Sequence, residues 1–369
     1  MAGRRNRYGY QEYRGRGGGR SVLIFIVVLL AVLLIAGVVF MVVMGDHIKY
    51  TDTGLEIDWP WRHQEPTAPP EFSDPVVIET DPVVITMEPT SEPTLEPTPT
   101  PTPTPEPQYE PLAAVAVTAD QLRYGTAAQA VASAGGSALV VEMKSANTGK
   151  LAWQSQTELA AALNANAANN GAADAIRGLA QEGSLYLIAR VHCFKDPLLA
   201  RAWVGPLLTR GGSMWHDYSG INWSSPASQQ AADYLSALCL ELADMGFDEI
   251  LLDDAGYPWD GELFALATDD NRPEDRTVPV AAFLQRIAGE LREKDVRLSV
   301  YVYEDLTNEE VYSGLTAAVL AQNTGRVWLD RRAVRENCEN ALYAAGLDNL
   351  SARVVAPVAG AAAGGSWYK

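Results

Sequence analysis

The chain has 369 residues and a formal net charge of -18. The charge is unevenly spread: residues 1–20 hold six arginines against one acid, Glu12, which leaves 22 basic and 45 acidic residues in the remainder. A body this acidic lacks the basic footprint that nucleic-acid binding requires, so nucleic acid is not an expected partner.

The Arg-rich tail, residues 1–20, abuts an uncharged apolar run from Val22 to Met44. At about 1.5 Å per residue, 23 residues reach roughly 35 Å, enough to cross a bilayer with some tilt. A cleavable signal sequence has a shorter apolar core and a small-residue cleavage site. The run is therefore expected to be an uncleaved transmembrane helix, residues 21–44, contacting the membrane through 22–44. The flanking arginines place the N-terminus in the cytoplasm and the rest of the chain outside the cell.

Residues 45–111 read as an extracellular linker rich in Pro, Thr and Glu. Fourteen of the 22 prolines lie between Pro66 and Pro111, and Thr alternates with Pro from Pro97 to Pro105. Proline fixes φ and removes an amide donor, so this stretch favours an extended, unpacked stalk over a core. At about 3.1 Å per residue it could reach on the order of 140 Å. Asp74–Thr80 and Asp81–Met87 form an imperfect seven-residue repeat within it.

From residue 112 to 369 the composition becomes globular, and about 250 residues suit an α/β barrel. Short apolar runs alternate with helical patterns, as a parallel sheet requires. The expected strands are Ala113–Val117, Ala138–Lys144, Leu185–His192, Asp248–Asp253, Arg297–Tyr303, Arg326–Leu329 and Ala352–Ala356. Thr126–Ala134 reads as a helix packed closely on the sheet. Ser225 with Pro226 is expected to open a helix that Gly246 closes, and Thr307 with Glu310 fits a capping box. The predicted fold is a TIM-like (β/α)8 barrel. Twelve residues follow Pro357, short of a crossover helix plus a strand, so either Ser366–Tyr368 closes the ring or the barrel stays incomplete. Cys193, Cys239 and Cys338 are too few and too far apart for a disulfide framework and read as small buried residues. No metal-ligand spacing accompanies them, and no metal or cofactor is expected.

The chemistry is expected where a strand runs out in carboxylates. Gly246-Phe-Asp-Glu-Ile-Leu-Leu-Asp-Asp ends on Asp253 and Asp254, and acids at the C-terminal tip of a barrel strand are placed for catalysis. Side chains alternate along a strand, so an inward Asp253 implies inward Leu251 and Glu249, with Asp254 on the other side or in the loop. Arg190 and His192 share a face with Tyr186 and Ile188, and Arg190 beside Asp253 would hold that acid ionised. Glu142 and Lys144 share a face and complete an inward charge cluster. Trp215, Asp217 and Trp223 lie in a long loop suited to stacking on sugar rings, and Tyr257 follows the Asp pair.

Three segments resemble a glycoside hydrolase barrel of bacterial envelope proteins, domain of unknown function 4015: Val140–Lys144, Leu185–Ala200, and Gly246–Asp253 with Tyr257-Pro258. Trp215–Pro226 is similar to that family's loop. The resemblance covers most of residues 113–303 and implies a TIM barrel with Asp253 as the key acid. Departures accompany it: that family has Tyr at the position of Asp254, Arg at Gly256, Asp at Glu142 and an acid at Tyr301. Its Tyr-Pro motif is not evident around Trp328–Arg335. Glycoside hydrolysis needs two carboxyls, so Glu304 and Asp305, just past the fifth strand, are expected as second catalytic acids beside Asp253. Glu142, Lys144, Arg190, His192, Trp215, Asp217, Trp223, Asp254 and Tyr257 are the expected substrate-binding residues. The expected function is a membrane-anchored hydrolase acting on envelope or other polysaccharide. The alternatives are a carbohydrate-binding barrel without turnover and an envelope scaffold that holds a protein of unknown identity.

Overall fold

The computed structural model describes residues 48–51, 54–57, 108–307, 311–361 and 364–369. The apolar run Val22–Met44 and almost all of the expected linker lie outside them. Among the described residues no helix is long and apolar enough to cross a membrane. The chain divides into two units, Met1–Pro99 and Thr100–Lys369. In the first, β1 (Ile48–Thr51) pairs antiparallel with β2 (Gly54–Ile57).

The second unit is a closed, all-parallel, eight-stranded barrel. Its strands are β3 (Ala113–Val117), β4 (Ala138–Lys144), β5 (Tyr186–His192), β6 (Glu249–Asp253), β7 (Arg297–Val302), β8 (Arg326–Leu329), β9 (Val354–Pro357) and β10 (Trp367–Tyr368). Seven match expected strands to within two residues at either end. The eighth is the dipeptide Trp367–Tyr368, which pairs with Ala113–Ala114 on one side and Ala356–Pro357 on the other, so the ring is complete. Ser366 fixes this closure. Its hydroxyl accepts from the Leu112 amide at 2.9 Å and donates to the Ala352 carbonyl at 2.9 Å.

The strands are apolar on both faces because both are buried. Alternate residues fill the barrel: Ala114, Val140, Ile188, Leu251, Tyr301, Trp328 and Val355 form the inner cluster. The other parity packs against the surrounding helices. At the N-terminal end of the barrel Glu249 accepts from the Tyr186 hydroxyl at 3.0 Å and pairs with the buried Arg326. Register carries the inward parity across the sheet to the C-terminal end, pairing Glu142 with Arg190 and His192 with Asp253.

One helix start departs from expectation. Helix α1 (Gln229–Met245) is capped by Ser228, whose hydroxyl accepts from the Ala231 amide, and not by Ser225. Ser225 is committed to a turn, accepting from the Ala227 amide at 3.0 Å. Gly246 closes the helix as expected, with φ of 105°. Thr307 donates both its amide and its hydroxyl to Asp305 Oδ1, at 3.1 and 2.8 Å. Glu310, the other half of that expected capping box, lies outside the described residues. The next described helix is α2 (Ala317–Asn323), capped by Thr316.

Candidate active site

Asp253 is the last residue of β6 and is fully buried at the C-terminal end of the barrel. Arg190, two strand positions below the tip of β5, reaches it with both Nε, at 2.8 Å, and a terminal guanidinium nitrogen. The other carboxylate oxygen accepts the Asp254 amide at 2.7 Å. Burial works to raise the Asp253 pKa, but the His192 and Arg190 charges and the Arg190 hydrogen bonds overcome it and hold the carboxyl below its ordinary range.

Asp254 sits in the loop just past the end of β6, one of the two places expected for it. Its φ is +48°, a left-handed conformation that Asp tolerates better than most residues. The turn folds its carboxylate back onto the tip of β5, where Oδ2 sits 2.7 Å from His192 Nδ1. Burial and the adjacent Asp253 charge raise the Asp254 pKa, against the opposing pull of His192. Two neighbouring carboxyls are thus driven in opposite directions.

His192 is almost wholly buried among three acids: Asp254 at 2.7 Å, Glu142 at 3.3 Å on the other ring nitrogen, and Asp253 at 3.6 Å. Burial alone would depress the imidazole pKa. The Asp253 charge and the hydrogen bonds to Asp254 and Glu142 reverse that and raise it to about 9. Both ring nitrogens then donate. Glu142 presents the solvent side of the cluster, with its side chain 52% exposed, and its hydrogen bond to His192 keeps its pKa low. His192 Nδ1 and one oxygen from each of Asp253 and Asp254 lie within 4.8 Å of one another, a spread that suits a cation. The direct His192–Asp254 contact and the guanidinium on Asp253 already satisfy these donors and acceptors, so proton chemistry fits the set better than metal ligation.

Several expected site residues are placed elsewhere. A bulge in β4 between Glu142 and Lys144 sets Lys144 opposite Val191, which faces the helix layer, so Lys144 points away from the mouth. It is fully buried, pairs with Asp196 at 2.7 Å and donates to the His192 carbonyl. Trp215 and Trp223 are 2% and 1% exposed and offer no stacking face. Asp217 is likewise buried and organises their loop. It accepts from Trp223 Nε1 at 3.2 Å and from the Ser219 and Ile221 amides, and pairs with Lys195 at 2.7 Å. Tyr257 is 1% exposed, and its hydroxyl donates to the Asn271 carbonyl. Glu304 accepts from the Tyr312 and Ser313 amides, while Asp305 accepts from Thr307 and Asn337. Neither makes a hydrogen bond or ion pair with the Asp253 cluster.

The same loop accounts for Gly256, the position at which the resembled family carries Arg. A Cβ there would lie 2.3 Å from the Ser313 carbonyl oxygen. The segment held by Glu304 therefore packs on the turn after Asp254, and an arginine has no room.

Sequence reasoning missed an aromatic group at the mouth. Tyr303 stacks on Trp259 with ring centroids 4.6 Å apart, and Arg332 lies 4.2 Å above the Trp259 ring. Tyr303 also helps keep Asp253 ionised. Its place was legible, since it shares the inward parity of Tyr301. Trp259 and Arg332 sit in loops, where no periodicity marks direction. Asp260 follows Trp259, half-buried, and burial together with the Asp217 charge raises its pKa.

A family model described as "putative glycosyl hydrolase domain" matches residues 114–326. Among solved structures, a hypothetical protein from Ruminiclostridium thermocellum is 20% identical, with 50% of this chain and 96% of that one covered and a TM-score of 0.43. The GH20 β-N-acetylhexosaminidase of Streptomyces coelicolor is 11% identical, with 69% and 49% covered and a TM-score of 0.42. Catalytic domain 2 of the Ostrinia furnacalis Group II chitinase is 11% identical, with 66% and 63% covered and a TM-score of 0.40. The chain spans about half to two thirds of the length of those two enzymes. No curated protein matches it.

Proposed function

This chain belongs to that glycosyl hydrolase domain family, and from this premise we propose that the barrel cleaves polysaccharide by carboxylate acid–base chemistry at its C-terminal mouth. The observation that carries the reading is the pair at the tip of β6. Asp253 is held ionised and Asp254 is pushed toward its protonated form. Glycoside hydrolysis needs one carboxyl in each state. In this reading Asp253 supplies the negative charge and Asp254 the proton. Glu142, Arg190, His192 and the Tyr303–Trp259 stack face the sugar.

The test is product release from wall or capsular polysaccharide by the full chain. Asp253→Asn keeps the size of the side chain and removes its charge, and is expected to abolish release while the protein stays folded. Unchanged turnover in that variant ends the proposal.

A second reading, sugar binding without turnover, is favoured by the complete burial of Asp253 and by the loop contacts that occupy Glu304 and Asp305. It expects glycan retained and no product released by the unaltered protein.

We also propose that Val22–Met44 anchors the chain in the membrane, with the N-terminus cytoplasmic and the barrel carried outside on the Pro/Thr stalk. The uncharged run beside the arginine tail supports this. Protease added to intact spheroplasts is expected to remove the barrel; full protection would refute the orientation.

A further inference from the structure

A cleft of about 570 Å³ opens on the same end of the barrel, across the tips of β8, β9 and β10. That size is ordinary for a small-ligand site. Its walls include Leu329, Pro357, Val358 and Tyr368, apolar surface that would suit one face of a sugar ring.

The charged lining is unusual for so acidic a chain. Arg331, Arg335 and Lys369 face a single acid, Asp330. Asp330 is occupied: it pairs with Arg332 at 2.7 Å and accepts from the Tyr301 hydroxyl at 3.3 Å. Arg335 is occupied too, by Glu339 at 2.7 Å and the Gly360 carbonyl at 3.1 Å. Arg331 is exposed and pairs with no carboxylate among the described residues. Its charge acts on the nearby Tyr368 hydroxyl.

A relay of side-chain contacts runs from the cleft toward the Asp253 cluster. The Tyr368 and Tyr301 hydroxyls are 2.8 Å apart, and the Arg190 guanidinium lies 4.8 Å from the Tyr301 ring centroid. A cavity of about 30 Å³ beneath Arg190 touches Tyr301, Tyr368 and Lys369. A residue bound in the cleft would therefore be a near neighbour of the reacting one.

We infer that this cleft is a subsite for an acidic sugar unit, one that carries a carboxylate or a phosphate, with Arg331 as the group that pairs with the anion. A guanidinium binds either oxyanion through two parallel hydrogen bonds. The chain's overall negative charge opposes a polyanion at long range, but salt screens that repulsion within about 8–10 Å, so pairing at contact decides the outcome. The inference rests on the carbohydrate reading above and narrows its substrate class.

Binding of the full chain, in detergent, to three sets of oligosaccharides tests it: neutral ones, uronate-containing ones and glycerol-phosphate oligomers. One of the two acidic sets is expected to bind more tightly than the neutral set, and which one identifies the anion. Arg331→Gln, an exposed change, is expected to weaken that binding roughly tenfold or more and to leave neutral glycans unaffected. Equal binding of neutral and acidic glycans, or an Arg331→Gln variant that loses nothing, overturns the subsite and leaves the carbohydrate reading standing. A protein that holds no glycan of any set removes both.

Discussion

One backbone torsion puts Asp254 in contact with His192. At φ of +48° its carboxylate returns to the tip of β5, and the imidazole is left between three acids. The consequence can be measured as a pH dependence. The His192 pKa rises from its ordinary 6.5 to about 9 on folding, so the folded state binds the proton more tightly. The resulting stability is fully present below about pH 6.5 and is lost as pH rises through about 9. On the order of 1–3 kcal/mol should disappear across that window. Denaturant titrations at both ends, compared with His192→Gln, check this; a variant with the same slope against pH refutes it. Period-two alternation made Arg190, His192 and Asp253 legible in the sequence as one inward group. The left-handed turn at Asp254 was not legible, because Asp-Ala-Gly carries no signal that selects that conformation at the first residue.

At the level of elements, β4 shows why alternation fails where a ladder is interrupted. A single bulge reverses the direction of Lys144 and turns an expected mouth residue into half of a buried ion pair with Asp196. Asp196 also caps the short helix Pro197–Arg201 by accepting from the Leu198 and Leu199 amides. Lys144→Met should therefore leave an unpaired buried carboxylate and cost about 3–5 kcal/mol. Thermal unfolding measures that loss, and glycan binding should survive at temperatures where the variant is folded. A variant as stable as the parent would show that the pair contributes nothing net. The seven longer strands were readable because each is a short run of apolar residues between turn signals. The start of the Gln229–Met245 helix was not, since a serine caps a helix or makes a turn according to where the chain goes next. The loop tryptophans illustrate the same limit. Trp215 and Trp223 were expected to face solvent, but buried Asp217, which accepts from Trp223 and pairs with part-exposed Lys195, holds that loop inward.

For the whole molecule, the ring depends on two residues. Trp367 and Tyr368 give β3 and β9 a common neighbour; without them both strands have bare edges. Removal of residues 366–369 should abolish the cooperative unfolding transition and promote association, which circular dichroism and size-exclusion chromatography would detect. A monomeric product that still melts sharply would show that the sheet holds as an open arc. The parallel order and the C-terminal placement of Asp253 followed from the sequence pattern. Closure was left open between Ser366–Tyr368 and an incomplete ring, because a two-residue strand carries no periodicity. The position of that dipeptide also has a temporal meaning. It lies C-terminal to every other strand, so during vectorial synthesis the nascent sheet must wait, with two unsatisfied margins, until its final staves emerge. Any factor that shields β-edges during translation would act in that interval.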